Sequence, residues 1–439
     1  MITANNKQLA QWAMEYALKN GCTAAKVTLY ASSNTLFELR DARIDRLQQA
    51  SENGLGISIY VDGRYGTCST NRLERKELEL FIRNGIESTR YLAPDEYRVL
   101  PPIERCYRGG LPDLQLCDPQ LARVNPDEKV EWARAAAQEA LGKDARIISV
   151  ESSYSDGVNA SYRLMSNGFE GESQATWCSL GVAVSMRGEG EARPSDGWFE
   201  NALFYDRLPK TGLGTTALKR TLTKLGQKKV ASGKYTLVID SNNAARLLSP
   251  LINALYGSAL QQKNSFLLDK LGQQIASDKL MLLDEPHAPG CNGSRYFDGE
   301  GVATVRRPIV ENGILQTYFI DTYNALKMGA APTISAPSRI VLKTGTDNLE
   351  ALVAGVSRGI LVTGLNGGNS NSTTGDFSYG IEGLLIEQGK LTQPVNEMNI
   401  TGNLLTLWRS LVDVGNDPRP GRSWMIPSLV FDNVDFSGL

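Results

Sequence analysis

The chain has 439 residues, of which 41% are hydrophobic and 21% charged, and its formal net charge at pH 7 is −2. This length and composition are typical of a globular protein with two or three domains. The near-balance of charge argues against nonspecific nucleic-acid binding, which depends on clustered lysine and arginine. The single histidine, His287, excludes the two-histidine helical zinc site of most metallopeptidases.

The sequence also indicates where the protein works. No window is apolar over the length that a bilayer requires, and the opening residues MITANNK lack the basic and then apolar profile of a secretory signal. The six cysteines form no C-x-x-C pair and are too sparse for a disulfide framework. We therefore expect a cytoplasmic protein with reduced thiols and no membrane partner.

The first part of the chain alternates helical and strand-like patterns. The expected elements, in order, are a helix over 5–20, short strands over 27–30 and 36–39, strand material over 54–70 and an amphipathic helix over 73–92. Asn5 or Asn6 is the candidate N-cap of the first helix, and Gly21 ends it. Asp62-Gly63 predicts a type I′ hairpin turn between two strands.

Residues 93–126 are rich in proline and have few periodic apolar positions, so we predict a long irregular connection. Asn125-Pro126 is a good helix start, because a capping side chain precedes proline, and the helix should run to about residue 141. Strands should fill 147–206. The expected hairpin turns there are Asp156-Gly157, Asn167-Gly168 and Asp196-Gly197.

A second break falls at 208–234, with a helix near 218–225 inside it and a lysine-rich stretch from Lys224 to Lys234 that is typical of a solvated linker. Residues 235–239 then predict a buried strand, followed by a helix that Asp240, Ser241 or Asn242 caps. Beyond that helix strands dominate, including a hairpin at Asn312-Gly313 and a buried run at 360–362.

Strands outnumber helices and follow one another as hairpins, which favours an α+β fold over a doubly wound parallel sheet. We predict an N-terminal domain over 1–220 with mixed helices and largely antiparallel sheets, which contains the irregular connection at 93–126. A strand-rich, barrel-like C-terminal domain over 228–439 should follow it.

His287 lies four residues before Cys291 in the loop-like stretch DEPHAPGC. The pair could begin a metal site, but structural zinc normally takes four protein ligands and only two soft ones converge here. We therefore interpret His287 as a loop histidine beside an unrelated thiol.

The densest polar, glycine-rich segment is TGLNGGNSNSTTGDFSYG at 363–380. Glycine permits positive φ and close backbone approach, while amides and hydroxyls offer hydrogen bonds without charge. The segment therefore fits either a groove that grips an extended peptide by its main chain or a wide loop between two strands. The candidate groove residues are Asn366, Gly367, Gly368, Asn369, Thr373, Thr374, Gly375, Asp376 and Phe377.

Two other chemistries are disfavoured for this segment. A phosphate-binding loop needs Gly-Lys-Ser/Thr at a helix start, and no lysine follows Gly368. Thr373 or Thr374 would need a base to act as a nucleophile, and no histidine lies near them in the sequence.

Several stretches taken together resemble the TldD/PmbA family, known as modulators of DNA gyrase, and its PmbA or TldE branch in particular. They are NSTTGDFSYG at 371–380, IEQGKLTQPV at 386–395, ITGNLL at 400–405, VGND at 414–417, PSLV at 427–430, NSFL at 264–267 and FDGEGV at 297–302. The resemblance is clearest over 234–439 and implies subunits that work in pairs to degrade peptides.

In this family the TldD-like member carries H-E-x-x-x-H on a helix and a cysteine near its C terminus as a zinc site. Here the matching helix reads SPLINA, with Ser249, Pro250 and Ala254 at the degenerate metal-site positions, and no cysteine follows Cys291. The resemblance therefore implies a chain with no catalytic or metal-binding residue of its own.

The resemblance further implies three partnerships for the chain. It should be the zinc-free partner of a TldD-like zinc-bearing paralogue, the cofactor zinc should lie in that paralogue, and unfolded peptide should be the substrate. The alternative is a stand-alone peptide-binding module that acts as a homodimer. Neither hypothesis requires direct contact with nucleic acid.

Overall fold

The computed structural model describes residues 2–438, which form two lobes. The N-terminal lobe contains α1 (Ala4–Lys19), β1 (Ala24–Arg40), β2 (Arg43–Val61), β3 (Arg64–Thr70), α2 (Arg75–Arg90), α3 (Pro126–Gln138), β4 (Ile147–Met165), β5 (Glu170–Met186), β6 (Ser195–Ala202) and α4 (Leu213–Leu222). Short 3-10 helices lie at Ile103–Arg105, Leu121–Arg123 and Tyr205–Arg207.

The C-terminal lobe continues with a second set of elements. It contains β7 (Gly233–Ile239), α5 (Ser241–Asn253), α6 (Gly257–Gln261), β8 (Leu282–Asp284), β9 (Arg307–Glu311), β10 (Ile314–Leu315), α7 (Thr322–Met328), β11 (Ile340–Leu342), α8 (Leu349–Ala354), β12 (Arg358–Ser370), β13 (Asp376–Glu387), β14 (Lys390–Asn403), α9 (Leu404–Arg409), β15 (Leu411–Val414), β16 (Trp424–Met425) and β17 (Leu429–Ser437). No helix within residues 2–438 has the length and apolar character that crossing a membrane requires.

The N-terminal lobe is built on one antiparallel sheet of order β3-β2-β1-β4-β5-β6. It consists of two units with the same order of elements, helix, three strands and helix, and the units meet where β1 pairs with β4. Side chains alternate along a strand, so Val27 and Leu39 of β1 lie on one face. Helices α1 and α2 cover the Val27 end of that face, and α3 and α4 cover the Leu39 end.

The opposite face of this sheet carries mostly small, uncharged side chains. Arg163 lies at one end of it and donates a hydrogen bond of 2.9 Å to the carbonyl of Asp298 in the C-terminal lobe. The same face also carries Tyr30, Leu36 and Trp177, and we call the small residues between them the small-residue face. Its members are Ser32, Asn34, Ser153, Ser155, Gly157, Asn159, Ser161, Ser173, Ala175, Ser179, Gly181 and Ala183.

Five strands of the C-terminal lobe, β7, β12, β13, β14 and β17, close into a barrel because β14 pairs with β17. The β7–β12 pair is parallel and the other pairs in the barrel are antiparallel. Its interior is filled by apolar side chains that include the fully buried Leu237, Trp408 and Phe431. A smaller sheet of order β10-β9-β8-β11-β16 packs beside the barrel.

This architecture confirms the predicted α+β class, with antiparallel sheets first and a barrel after them. The predicted turns at Asp62-Gly63 and Asn312-Gly313 are confirmed, since all four residues have positive φ. Asn125 caps α3 as predicted, and its side chain accepts a hydrogen bond of 3.0 Å from the N–H of Asp127. The domain limits at 220 and 228 stay a prediction.

Four local predictions are wrong. Asp156-Gly157 and Asp196-Gly197 lie inside β4 and β6 rather than in turns. Gly157 is needed for close approach, because a Cβ there would lie 2.5 Å from the carbonyl oxygen of Ser33. Residues 27–39 form one strand, because their polar middle pairs with both β2 and β4. The cap of α1 is Thr3, which exchanges hydrogen bonds with Asn6.

Lys224 lies in the contact between the lobes and is not part of a solvated linker as predicted. Its ammonium group lies 3.2 Å from the Asp196 carboxylate of β6 and 2.6 Å from the Glu382 carboxylate of β13. The ammonium group of Lys224 thus contacts one acid in each lobe and contributes to holding the lobes together.

Burial predicts which barrel residues matter for stability. Phe431→Ala should lower the free energy of unfolding by about 3–5 kcal/mol, since it removes a fully buried ring that packs edge-on against Trp408. Leu391→Ala, at a side chain 46% exposed on β14, should change it by no more than about 1 kcal/mol. Urea unfolding followed by tryptophan fluorescence measures both, and equal losses would contradict this assignment of the core.

Candidate functional site

Helix α5 contains or adjoins the three degenerate metal-site positions that the family resemblance predicts, Ser249, Pro250 and Ala254. Asp240 follows β7 and caps the helix, with its Oδ1 accepting a hydrogen bond of 3.1 Å from the N–H of Asn243. The inner face of α5 packs into the barrel core through apolar side chains that are fully buried. The outer face is therefore left to Arg246, Ser249, Pro250 and Asn253.

The three degenerate positions do not share this outer face. Ser249 and Pro250 are half-buried on it, whereas Ala254 is only 1% exposed and packs into the barrel core just past the end of the helix. Five residues correspond to about 140° around a regular α-helix, so Ser249 and Ala254 cannot point at one atom. Asn253, four residues after Ser249, is the helical neighbour on the same face.

The outer face of α5 does not fit zinc. Its side chains are a hydroxyl, a proline ring, an amide and a guanidinium, and none of these is a zinc ligand of consequence. Within residues 2–438 no three His, Cys, Asp or Glu side chains come together as a metal site. His287 hydrogen-bonds through Nε2 to Thr304 Oγ1 at 2.9 Å, and burial lowers the pKa of its imidazole.

The candidate groove segment begins beside this outer face. β7 pairs with β12 only as far as Val362, so the edge of β12 beyond that residue has no strand on the α5 side. Side chains bond two carbonyls there: Asn243 Nδ2 donates to Thr363 O at 2.8 Å, and Arg246 donates to Leu365 O. The outer face of α5 and the start of the groove segment are therefore contiguous.

Asn366, Gly367, Gly368 and Asn369 form an exposed bulge near the end of β12. Asn366 pairs with Gly380 and Asn369 pairs with Ser378, so the two glycines between them have no partner on β13. Both have positive φ, and a Cβ on Gly368 would lie 2.1 Å from the carbonyl oxygen of Ser378. The bulge displays two amide side chains and requires glycine for its geometry.

The turn between β12 and β13 holds Thr374 and Asp376 together but separates them from Thr373. Thr374 Oγ1 donates to Asp376 Oδ2 at 2.7 Å, and Thr373 bonds to Asn264 instead. Hydrogen bonds from Asn403 and Thr374 lower the pKa of the exposed Asp376 carboxyl. Asp376 is therefore a weak base that leaves Thr374 unactivated.

Two other predicted groove residues are buried. Phe377 is only 6% exposed and stacks on Tyr379 in the barrel core, with ring centroids 5.5 Å apart. Gly375 lies against the ring of Phe266. The surface that a peptide could touch is therefore made by the bulge, the threonines and Asp376.

Sequence reasoning missed the basic residues that hold α5 against the N-terminal lobe. Arg220 of α4 lies 3.2 Å from Asp196 and 3.4 Å from Asp240. Burial raises the pKa of Asp240, while the Asn243 hydrogen bond and the Arg220 charge oppose that rise. The sequence shows only that Arg220 follows Lys219 on a short helix, and its carboxylate partners lie 20 or more residues away.

Arg419 makes a second contact of this kind. Its guanidinium hydrogen-bonds to Asn242 at the start of α5, pairs with Glu200 of β6 at 3.0 Å and lies 4.0 Å from the ring centroid of Trp198. Arg419 is only 8% exposed. Through these ion pairs and hydrogen bonds, Arg220 and Arg419 both connect the N-terminal end of α5 to strand β6.

Three family models match this chain in succession. PmbA/TldA metallopeptidase domain 1 matches residues 25–89, the PmbA/TldA metallopeptidase central domain matches 119–225, and the PmbA/TldA metallopeptidase C-terminal domain matches 232–438. The last of these contains α5, the barrel and the whole groove segment.

Whole-chain relatives agree with the family models. The chain is 30% identical to the metalloprotease PmbA of Escherichia coli O157:H7 over 94% of its own length and 92% of that protein. A crystal structure from Bacteroides thetaiotaomicron, described as that of a candidate modulator of DNA gyrase, is 67% identical with a TM-score of 0.99 over all of both chains. TldE from Thermococcus kodakarensis, at 21% identity and a TM-score of 0.85 over 98% of this chain and 100% of that one, shares the fold.

The buried pair of Arg220 and Asp240 predicts a pH-dependent variant. Arg220→Met should lower the free energy of unfolding by about 3 kcal/mol at pH 8, because it leaves a buried carboxylate with less compensation. The loss should be smaller at pH 5. The already raised pKa of Asp240 rises further in the variant, so a protonated, neutral Asp240 is populated as the pH falls.

Urea unfolding of the wild type and the variant at both pH values tests this. The matched control is Arg220→Met in an Asp240→Asn background, where the loss at pH 8 should shrink because the amide carries no charge to be compensated. A loss of the same size at pH 5 and pH 8 would show that the charge of Asp240 has no part in it.

Proposed function

Because this chain belongs to the PmbA/TldD family of metallopeptidases, we propose that it is the zinc-free partner subunit of a heteromeric TldD/TldE-type metallopeptidase. In this role it helps to enclose and position unfolded peptides for proteolysis. The observation that carries the proposal is the outer face of α5, where Arg246, Ser249, Pro250 and Asn253 offer neither a zinc ligand nor a general base. The zinc and the base would belong to the TldD-like paralogue.

The residues of this chain would bind and orient the peptide. Beyond Val362 β12 has no strand on the α5 side, and because Asn243 and Arg246 occupy the carbonyls of Thr363 and Leu365, the backbone left for an extended chain is that of the bulge from Asn366 onward. Asn366 and Asn369 are exposed, and each amide can both donate and accept a hydrogen bond, which suits a main chain of any sequence. Gly367 and Gly368 leave room for close approach.

Arg246 extends this binding surface along α5. It is exposed, and Nη1 of its guanidinium group donates a hydrogen bond to Leu365 O, so the remaining N–H donors of that group can reach a carbonyl or a carboxylate of the peptide. The side chain therefore aligns the peptide along α5, the helix whose counterpart in the TldD-like subunit bears the zinc ligands.

We propose that the two subunits work together in the cytoplasm, which the six unpaired cysteines support.

A stand-alone peptide-binding module that acts as a homodimer is the second candidate function. The same exposed bulge supports it, since main-chain recognition needs no catalytic partner. Recovery of a histidine-bearing paralogue with this chain from native extract would favour the heteromeric peptidase. A pull-down that returns only copies of this chain would favour the module.

The purified chain alone should hold no stoichiometric zinc and should cleave no unstructured peptide, because it has neither ligands nor a base on α5. Mixing it with the TldD-like paralogue should produce cleavage that a chelator abolishes. Zinc analysis by mass spectrometry and chromatography of a test peptide measure both. Peptidase activity with about one zinc per isolated chain would overturn the proposal.

The groove is tested in the same mixture. Asn366→Trp with Asn369→Trp should lower kcat/KM for unstructured peptides by about tenfold or more, since the rings displace the peptide from the β12 edge. Leu391→Trp, at a naturally exposed barrel position, is the matched control and should leave kcat/KM near the wild-type value. Equal rates for the two variants would place the peptide elsewhere.

A further inference from the structure

The outer edge of β2, in the N-terminal lobe, is open along most of its length. β3 pairs with β2 only from Leu55 to Val61, so residues 43–54 have no strand on that side. Residues 43–53 are all exposed except for the half-buried Ala50. This edge therefore presents a row of backbone groups without a strand partner, to which a strand of another chain can pair.

The second unit of the same sheet covers its corresponding edge. There β5 takes the place of β2, and β6 pairs with it only over Cys178–Ser185. Just beyond that pairing the N–H of Thr176 donates a hydrogen bond of 3.0 Å to Leu116 O, and Thr176 Oγ1 accepts one of 2.8 Å from the N–H of Asp118. The chain thus supplies its own segment to the edge of β5, but within residues 2–438 it supplies none to the edge of β2.

Two apolar side chains at this edge extend the helix-covered face of the sheet into solvent. Ile44 pairs with Leu39 and Leu47 pairs with Phe37, because Asp45 is skipped between them. Directly paired residues lie on the same face, so Ile44 and Leu47 adjoin the buried Leu39 and Phe37. Ile44 is nevertheless 50% exposed and Leu47 57% exposed. The core of this lobe therefore ends at the open edge with apolar surface that a second chain would bury.

The charges of the edge favour one kind of partner. Asp45 and Arg46 have ion-pair partners on β1, whereas Arg43 and Glu52 form no ion pair with any other residue between 2 and 438. These two unpaired charges have opposite signs and lie at opposite ends of the exposed stretch. An antiparallel copy of the same edge would bring each Arg43 opposite a Glu52, whereas a parallel copy would set like charges side by side.

The pairing of β1 with β2 shows that this match is geometrically allowed. Gln48 lies opposite Leu36 of β1, and the partners of Arg43 and Glu52 lie four positions to either side of Leu36. A two-fold axis at Gln48 therefore aligns Arg43 of each copy with Glu52 of the other, and it sets no like charges opposite each other. The same register brings the two Leu47 side chains to diagonal positions on one face, within reach of each other.

We propose that a second copy of this chain docks on the open edge of β2, antiparallel to it and about a two-fold axis at Gln48. The two six-stranded sheets then join edge to edge into one continuous sheet. The helices of both copies cover one side of it, and both small-residue faces lie on the other. The interface needs only this chain, so its failure would leave the proposed peptidase partnership untouched.

Charge reversal tests the pairing in the isolated chain. Arg43→Glu and Glu52→Arg should each raise the Kd of the dimer by about tenfold or more, since each variant sets two like-charged pairs across the interface. The double variant restores opposite charges and should return Kd to within about threefold of the wild-type value. Sedimentation velocity over a dilution series measures Kd. Glu191→Arg, at an exposed acid between β5 and β6, is the control and should leave Kd unchanged.

Cross-linking tests the position of the axis. Gln48→Cys should form a disulfide-linked dimer on mild oxidation, because its two copies face each other across the axis. Ser51→Cys is also exposed on the same strand, but its two copies would lie about 20 Å apart and should not cross-link beyond the level of the native cysteines. Non-reducing electrophoresis of both variants and of the wild type measures the yield.

Three results would overturn the inference. They are a chain that is monomeric at about 0.1 mM, a Kd that neither single charge reversal changes, and equal cross-linking of Gln48→Cys and Ser51→Cys. Hydrogen exchange separates a further case. If the amides of residues 43–53 are protected only after the TldD-like paralogue is added, the edge binds that subunit and the proposed contact between two copies is wrong.

Discussion

The packing of α5 against the barrel is the constraint on which the rest of the structure depends. Its apolar residues bury one face completely, so only the opposite face can carry chemistry. Asp240 fixes where the helix starts, and Arg220 and Arg419 fix it against strand β6 of the other lobe. The orientation of the outer face of α5 is therefore set by contacts with both lobes.

Features that depend on neighbours in the sequence could be predicted from it. The turn at Asp62-Gly63 and the cap at Asn125 follow from backbone preferences of two or three residues. The class of fold also follows, because alternating strands and their turns recur along the chain. The side chains that α5 carries are likewise a matter of sequence alone, and none between residues 241 and 253 is a histidine, a cysteine or an acid.

Features that depend on distant residues could not be predicted. Lys224 has the composition of a linker, and its partner Glu382 is 158 positions away. Gly157 has the local pattern of a turn, but Ser33 of another strand explains it. The open edge of β2 likewise depends on the fold, because β3 ends opposite Leu55 and no motif in residues 43–54 marks that edge as open.

The parallel pairing of β7 with β12 in the barrel explains how the open edge beside α5 arises. β7 has 7 residues and its neighbour β12 has 13, and the surplus of the longer strand supplies the open edge beside α5. The proposed recognition surface thus depends on a strand that stops early, with no dedicated insertion. A homologous chain could lose or regain it through a change in the length of β7 alone, while its barrel stayed closed.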